Sequence, residues 1–382
     1  MRRKILIISG SILGMLVILF ILAVPAAPLW AKMGLEPICI QGNWPNFKVV
    51  SCPQYSPASA SVTPLPLPTV GEQGPIPLIV DDDGSPDGTD ALLYFLRNPL
   101  FDVRAVTVSY GEAHPEVYAR HMIKLLESLK KGDIPVGAGK DSPLEGSNAF
   151  PESWRENSNN FWGVRLPELV ITRDPVSAAE LMVDVIQKSS QPVVIFVSGS
   201  QTNLAEAIRL EPVIKQNIRA VYIMGGSVYA PGNIQSDWPE IKNSAAEWNI
   251  WVDPVAAKEV FASGLSLHLV PLDATQQVIW TKDDFPKWTS SGKPESAVAG
   301  EFLQFMLNSW SEKGVYIWDL TAAVQASNPQ VCPEVNLSLD VITTSGSEQG
   351  RTMVKDGAAN TAACLNPDED QVKAMAAYVF SH

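Results

Sequence analysis

The chain is short of positive charge. Lysine and arginine number 28 against 41 aspartates and glutamates, a formal net charge of −13. A nucleic-acid polymer is thereby excluded as the expected partner, because phosphate binding calls for basic patches. An acidic surface suits cations, and it suits small neutral ligands held by hydrogen bonds. Cysteine is also scarce, with only Cys39, Cys52, Cys332 and Cys364. No Cys-x-x-Cys and no Cys/His spacing is present, which removes the usual zinc sites. Histidine is limited to His114, His121, His268 and His382, and no internal repeat is visible.

What is present is apolar bulk: 46% of 382 residues are hydrophobic, enough for one large or two ordinary domains. Arg2, Arg3 and Lys4 precede an uncharged, mostly apolar stretch over residues 5–30. It exceeds the ~7–15 residues of a secretory h-region and reaches the ~20 that span a bilayer. The positive-inside rule keeps the basic end in the cytoplasm. An uncleaved signal anchor is the favoured reading, and a cleaved signal peptide at "VPAAPLWA" is the alternative. Either way the main domain is expected outside the cytoplasm, membrane-anchored through the N-terminal helix or secreted. Four cysteines in an exported chain suggest disulfides. Of the three pairings, Cys39–Cys52 with Cys332–Cys364 is preferred.

The layout expected is a signal anchor or signal peptide over 1–33, a Cys-containing loop and Pro/Ser-rich linker over 34–75, and a folded domain over 76–382. The linker "PQYSPASASVTPLPLPTVGEQGP" lacks apolar periodicity. From Ile76 strands and helices alternate. "IPLIV", "DVRAVTVSY", "IPVGAG", "PVVIFVSG", "IRAVYIMGGS" and "LSLHLVPLD" read as strands. "DALLYFLRN", "PEVYARHMIKLLESLKKG", "VSAAELMVDVIQKS", "TNLAEAIRLEP" and "DPVAAKEVFASG" read as helices, with Asp174 and Asp253 as caps of the third and fifth. The fold class is α/β: a mostly parallel, Rossmann-like central sheet with helices on both faces, preceded by an N-terminal apolar helix. Ligands of such sheets sit outside the carboxyl ends of the strands.

At the first of those strand ends stands "VDDDGSPDGTDALLYFL", with five aspartates between Asp81 and Asp90. Crowded carboxylates repel, so the folded state needs a cation or must take up protons. Calcium accepts carboxylates, carbonyls, waters and sugar hydroxyls. A solvated acidic turn with Asp90 or Thr89 capping the helix is the plain alternative. "DDDGS" also looks like the opening of haloacid-dehalogenase-type phosphohydrolases, with Asp81 as nucleophile. An EF-hand loop is discounted, because Tyr94 stands where a glutamate is needed.

The distant segments select among these. "VRAVTVSYGE", "IPVGAGKDSPL", "VSGSQTNLAEAIRLEP", "VYIMGGSV", "AEWNIWVDPVAAKEVF" and "WDLTAAV" follow in an order that resembles the inosine/uridine-preferring nucleoside hydrolases, from about Ile76 to the C-terminus. That family opens with Asp-x-Asp-Pro-Gly-x-Asp-Asp-Ala and cleaves the N-glycosidic bond of ribonucleosides with water and a bound Ca2+. The resemblance implies Asp83 as calcium ligand and general base, and Asp90, the Ser198 carbonyl and Asp319 as further ligands. It implies Met224, Glu247 and Asn249 on the ribose side.

This chain departs from that pattern. Asp83 and Asp90 are seven apart, against five in the family, and Thr89 stands at the penultimate aspartate. Asp87 is the candidate to replace it. Glu112 stands where Asn or Asp is usual, and Trp318 where a histidine often precedes the distal aspartate. The family's other histidine is missing from "FPESWRENSNNFWGVRL". Tryptophans are the candidates for contact with the base, Trp162 and Trp318 first, with Trp154 and Trp248 behind them. Calcium-dependent hydrolysis of ribonucleosides is the function expected. A non-catalytic ribose or nucleoside receptor on the same scaffold is the alternative, and a homo-oligomer is left open.

Overall fold

The computed structural model describes the backbone of residues 38–41 and 48–51, and residues 62–169 and 173–382 in full. The expected N-terminal apolar helix and the Cys39–Cys52 pairing lie outside the described residues. Two compact units are distinguished, Met1–Ser61 and Val62–His382. In the first, Ile38–Gln41 pairs antiparallel with Lys48–Ser51. Among the described residues no helix is long and apolar enough to cross a membrane.

The second unit takes in part of the expected linker. The Leu65 amide donates to Gln371 Oε1 at 3.0 Å, and Asn328 Nδ2 donates to the Pro66 carbonyl at 3.2 Å. Residues lacking apolar periodicity are thus held by side-chain amides of the domain, a tether no local pattern announces.

Nine strands form the main sheet: β1 (Ile76–Asp82), β2 (Phe101–Val108), β3 (Val136–Ala138), β4 (Val176–Ser177), β5 (Val193–Val197), β6 (Ile218–Met224), β7 (Leu267–Val270), β8 (Glu334–Leu337) and β9 (Thr361–Cys364). Their order is β8-β9-β7-β6-β5-β1-β2-β3-β4. Every pairing is parallel except β8 with β9. This is the expected α/β architecture. The expected Cys332–Cys364 disulfide is present and ties the approach to β8 to the end of β9.

Alternation along β1 decides which face each side chain serves. Leu78 and Val80 enter the core beneath α1 (Pro86–Arg97), α2 (Pro115–Ser128), α3 (Pro294–Ser309), α4 (Trp318–Ser327) and α5 (Glu369–Ser381). Ile79 enters the opposite core, shared with the helices Ala178–Lys188, Thr202–Leu210 and Pro254–Phe261. Helix α1 is anchored by Leu92, Leu93 and Phe95, all at most 1% exposed. Each contributes about 1.5–3 kcal/mol by burial.

Two helix starts differ from the expectation. Helix α1 begins at Pro86, not near Asp90: the Gly88 amide donates to Ser85 Oγ at 2.8 Å, and Pro86 fits the first helical position. The two extra residues are therefore absorbed into helix. The helix at Ala178 is capped by Ser177 rather than Asp174, because Val176–Ser177 is drawn into the edge strand β4. Asp253 caps Pro254–Phe261 as expected, accepting from the Ala256 amide at 3.1 Å.

Candidate functional site

A cavity of about 460 Å³ opens at the carboxyl ends of β1, β2, β5 and β6. Its wall brings together Asp83, Asp87, Glu112, Trp162, Ser198, Met224, Glu247, Asn249, Trp318 and Asp319. Phe150, Trp154, Trp248 and Trp310 add an aromatic side. No histidine lines it, and His114 turns instead toward Asn159 Nδ2 at 2.8 Å.

The five aspartates of the opening motif part company. Asp81 faces away from α1 and accepts from Thr107 Oγ1 at 2.7 Å and Asn203 Nδ2 at 2.8 Å, a structural role. Asp82, on the α1 face, is 1% exposed, and its Oδ2 has no partner among the described residues. Asp83 sits just past the strand. Its Oδ2 accepts from the Glu112 amide at 3.2 Å, and Gly111 and Gly199 leave it room. A Cβ at Gly111 would fall 2.2 Å from that oxygen. Asp87 reaches across to α4, its Oδ2 accepting from the Asp319 amide at 3.2 Å. Asp319 Oδ2 accepts from Ser85 Oγ at 3.0 Å. Ser85 thus caps α1 and tethers the distal aspartate with one hydroxyl.

Neither Asp82 nor Asp90 lines the cavity itself: Asp82 lies behind Asp83 at the strand end, and Asp90 lies deeper in α1. Asp90 is fully buried, with both carboxylate oxygens unpartnered among the described residues. The resemblance named it as a ligand, and the early helix start sets it one turn deeper than the cavity wall.

Across the cavity, Glu247 caps the short helix Trp248–Val252. It accepts from the amides of Gly226 at 2.8 Å, Asn249 at 2.9 Å and Ile250 at 3.2 Å. Asn249 Nδ2 donates to the carbonyls of Ser198 at 3.3 Å and Met224 at 3.2 Å. This pair is therefore fixed by backbone. On the aromatic side, Phe161 and Trp162 hold left-handed φ values of 53° and 54°. Such conformations cost on the order of 1–3 kcal/mol each and persist where the surroundings enforce them. Here the Trp162 indole donates to the Gly84 carbonyl at 2.9 Å, and Ser158 Oγ donates to the same oxygen at 2.6 Å.

Burial raises the acids. It pushes Asp83 to about 8, with the charges of Asp87 and Glu247 adding and the Glu112 amide opposing. Asp87 rises to about 6 and Glu247 to about 7, again chiefly by burial. Asp82 and Asp319 lie well above the usual carboxylate range, through burial and then the acids beside them. Among the described residues no lysine or arginine pairs with any of them. The donor chemistry therefore fits a hard cation: buried oxygens, like charges and an orphaned Asp82 Oδ2. Among the described residues no group of three or more acids, histidines or cysteines is arranged so that it could hold a metal ion.

Sequence reasoning missed Asp82, Ser85, Asn233 and Asp237. Asn233 lines the cavity with its Oδ1 buried and unpartnered. Asp237, also on the wall, accepts from Trp248 Nε1 at 3.1 Å. Asn233 lies beyond "VYIMGGSV" in "APGN", a turn-like stretch whose glycine was the only signal.

The family model described as inosine-uridine preferring nucleoside hydrolase matches residues 78–374. A pyrimidine-specific ribonucleoside hydrolase, RihA, of Salmonella enteritidis PT4 is 32% identical over 284 residues, covering 73% of this chain and 88% of that protein. Among solved structures, a purine-preferring ribonucleoside hydrolase from Gardnerella vaginalis superposes with TM-score 0.69 at 23% identity, covering 80% of this chain and 99% of that one. An inosine-uridine preferring nucleoside hydrolase from Bacillus anthracis does so with TM-score 0.66 at 22% identity, covering 80% and 99%. The structural likenesses establish the fold. The family match and the sequence identity establish more, and the chain belongs to the inosine-uridine preferring nucleoside hydrolase family.

Proposed function

We propose that the protein hydrolyses the N-glycosidic bond of ribonucleosides to free base and ribose, with calcium as its cofactor. One observation carries the reading: Asp83, Asp87 and Asp319 share a cavity with the backbone-fixed pair Glu247 and Asn249, beside a wall of tryptophans. Asp83, Asp319 and the Ser198 carbonyl would hold the ion. When bound, calcium supplies the missing positive charge, lowers the pKa of a water and grips the ribose 2′- and 3′-hydroxyls.

The chain's own residues do the rest. Asp83, oriented by the Glu112 amide, takes the proton of the attacking water. The surrounding carboxylates stabilise positive charge developing on the sugar. Asp87, Glu112, Glu247 and Asn249 bind ribose hydroxyls, with Met224 against the sugar. Trp162, Trp318 and their neighbours stack on the departing base and exclude water from it.

The test is direct. The protein, with calcium, is incubated with purine and pyrimidine ribonucleosides and assayed for reducing sugar. Both base classes are needed, since one relative is named pyrimidine-specific and one purine-preferring. Release of ribose supports the reading; none from any nucleoside, with calcium bound, overturns it. A second reading, binding without turnover, is favoured by the lack of histidine on the cavity wall. Tight nucleoside binding without ribose release over long incubation would select it. The domain is further proposed to lie outside the cytoplasm, and protection from protease added to intact cells would refute that placement.

A further inference from the structure

We infer that Asp82, rather than an acid of helix α1, completes the carboxylate set of the cation cradle, its side chain filling the space left by glycine at position 88. The inference rests on the calcium reading above.

Asp82 is the last residue of β1, and strand alternation turns it to the α1 face that Leu78 and Val80 also serve. Its backbone is locked, with the carbonyl accepting from the Ser109 amide at 2.8 Å. A Cβ at Gly88 would fall 1.8 Å from Asp82 Oδ1 and 2.7 Å from its Cγ. The carboxylate thus stands where the first atom of a side chain at 88 would be, and only glycine permits it. The same Oδ1 accepts from Ser198 Oγ at 3.4 Å, at the residue whose carbonyl accepts from the cavity's Asn249. Oδ2 is buried and accepts no well-formed hydrogen bond among the described residues, with only the Asp83 and Gly84 amides near the carboxylate to offset its charge. An oxygen in that state needs a cation or a proton.

Asp90 is buried and orphaned as well, but it stands differently. It feels only the charge of Asp87, whereas Asp319 feels Asp87, Asp82 and Asp83 together. The acids that crowd one another are therefore Asp82 and Asp83 at the strand end, Asp87 in the first turn of α1 and Asp319 on α4, and Asp90 adjoins this group through Asp87 alone.

The experiment uses the full chain stripped of metal with a chelator. Calcium affinity is read by calorimetry and by displacement of terbium, whose luminescence the cavity tryptophans sensitise. Metal-free melting curves confirm folding of each variant. Asp82→Asn is expected to weaken calcium binding on the order of 100-fold or more, at least the cost of losing a ligand's supporting partner. Asp90→Asn is expected to bind calcium as the parent does. Asp82→Ser combined with Gly88→Asp is expected to regain about tenfold or more over Asp82→Ser alone, because the vacated space then takes a carboxylate from the helix. Parental affinity in Asp82→Asn overturns the inference, as does loss of binding in Asp90→Asn alone. No recovery in the paired variant overturns the claim that the two positions share one space. If the parent itself binds no calcium, the reading beneath falls too, and the two failures are told apart.

Discussion

Two buried acidic sites in this molecule behave in opposite ways. Asp284, with its side chain 2% exposed, is met by Lys287 Nζ at 2.9 Å, Lys373 Nζ at 3.1 Å and the Thr281 amide at 2.9 Å. Burial pushes its carboxyl up, but the Lys287 hydrogen bond, the Thr281 amide and the lysine charges outweigh it, and the net shift is downward. The acids at the carboxyl end of β1 are buried to the same degree and met by no lysine or arginine among the described residues. One site is finished by its own sequence. The other holds a deficit of positive charge in a cavity, which is what a structural ion pair avoids and a cofactor site requires.

The contrast can be broken in a graded series. Asp83→Asn should have the largest effect, lowering kcat for ribose release by roughly 10²–10⁴-fold, the usual weight of a general base, while the fold persists by circular dichroism. Chelation should come next. At calcium 100 times its Kd, the ion adds about 2.7 kcal/mol that a chelator removes, read as a fall in urea midpoint. Asp284→Ala should cost about 2 kcal/mol in urea unfolding without touching ribose release; a fully buried pair would cost more, but Lys287 is half exposed. The sign of its pH dependence follows from the depressed carboxyl. The contribution of Asp284 is complete above the unfolded pKa of ~3.9 and is lost as pH falls through the lower folded value. Stability curves of the parent and Asp284→Asn should therefore converge between about pH 5 and pH 2. Ser85→Ala should be the smallest, near 1 kcal/mol in thermal melting, for the lost cap of α1.

The same contrast explains what could be read from the sequence. Strand and helix alternation depends on local apolar pattern, so the parallel sheet and its site-bearing edge were legible. Glu247 and Asn249 were reached through the family resemblance of "AEWN" alone, and they stand on the cavity wall at the start of a short helix that Glu247 caps. Assignment within the aspartate run was not legible. Counting spacing treated residues 84–89 as loop, whereas Ser85 and Pro86 start a helix there and rotate Asp90 out of the cavity. Asp82 was overlooked because its placement depends on a missing side chain six residues away at Gly88. Contacts of that kind are tertiary, and no pattern in the run encodes them.

The Gly84 carbonyl receives both the Trp162 indole and the Ser158 hydroxyl, one residue after Asp83 and one before Ser85. The aromatic wall proposed to meet the base and the acidic side proposed to meet the sugar are thus joined through a single oxygen atom. Substitutions on the two sides will not add as independent sites do. On the proposed reading, a change at Trp162 is expected to be felt at Asp83 and Ser85 as well, through the shared Gly84 carbonyl. Selectivity in this protein has to be engineered with both halves varied together.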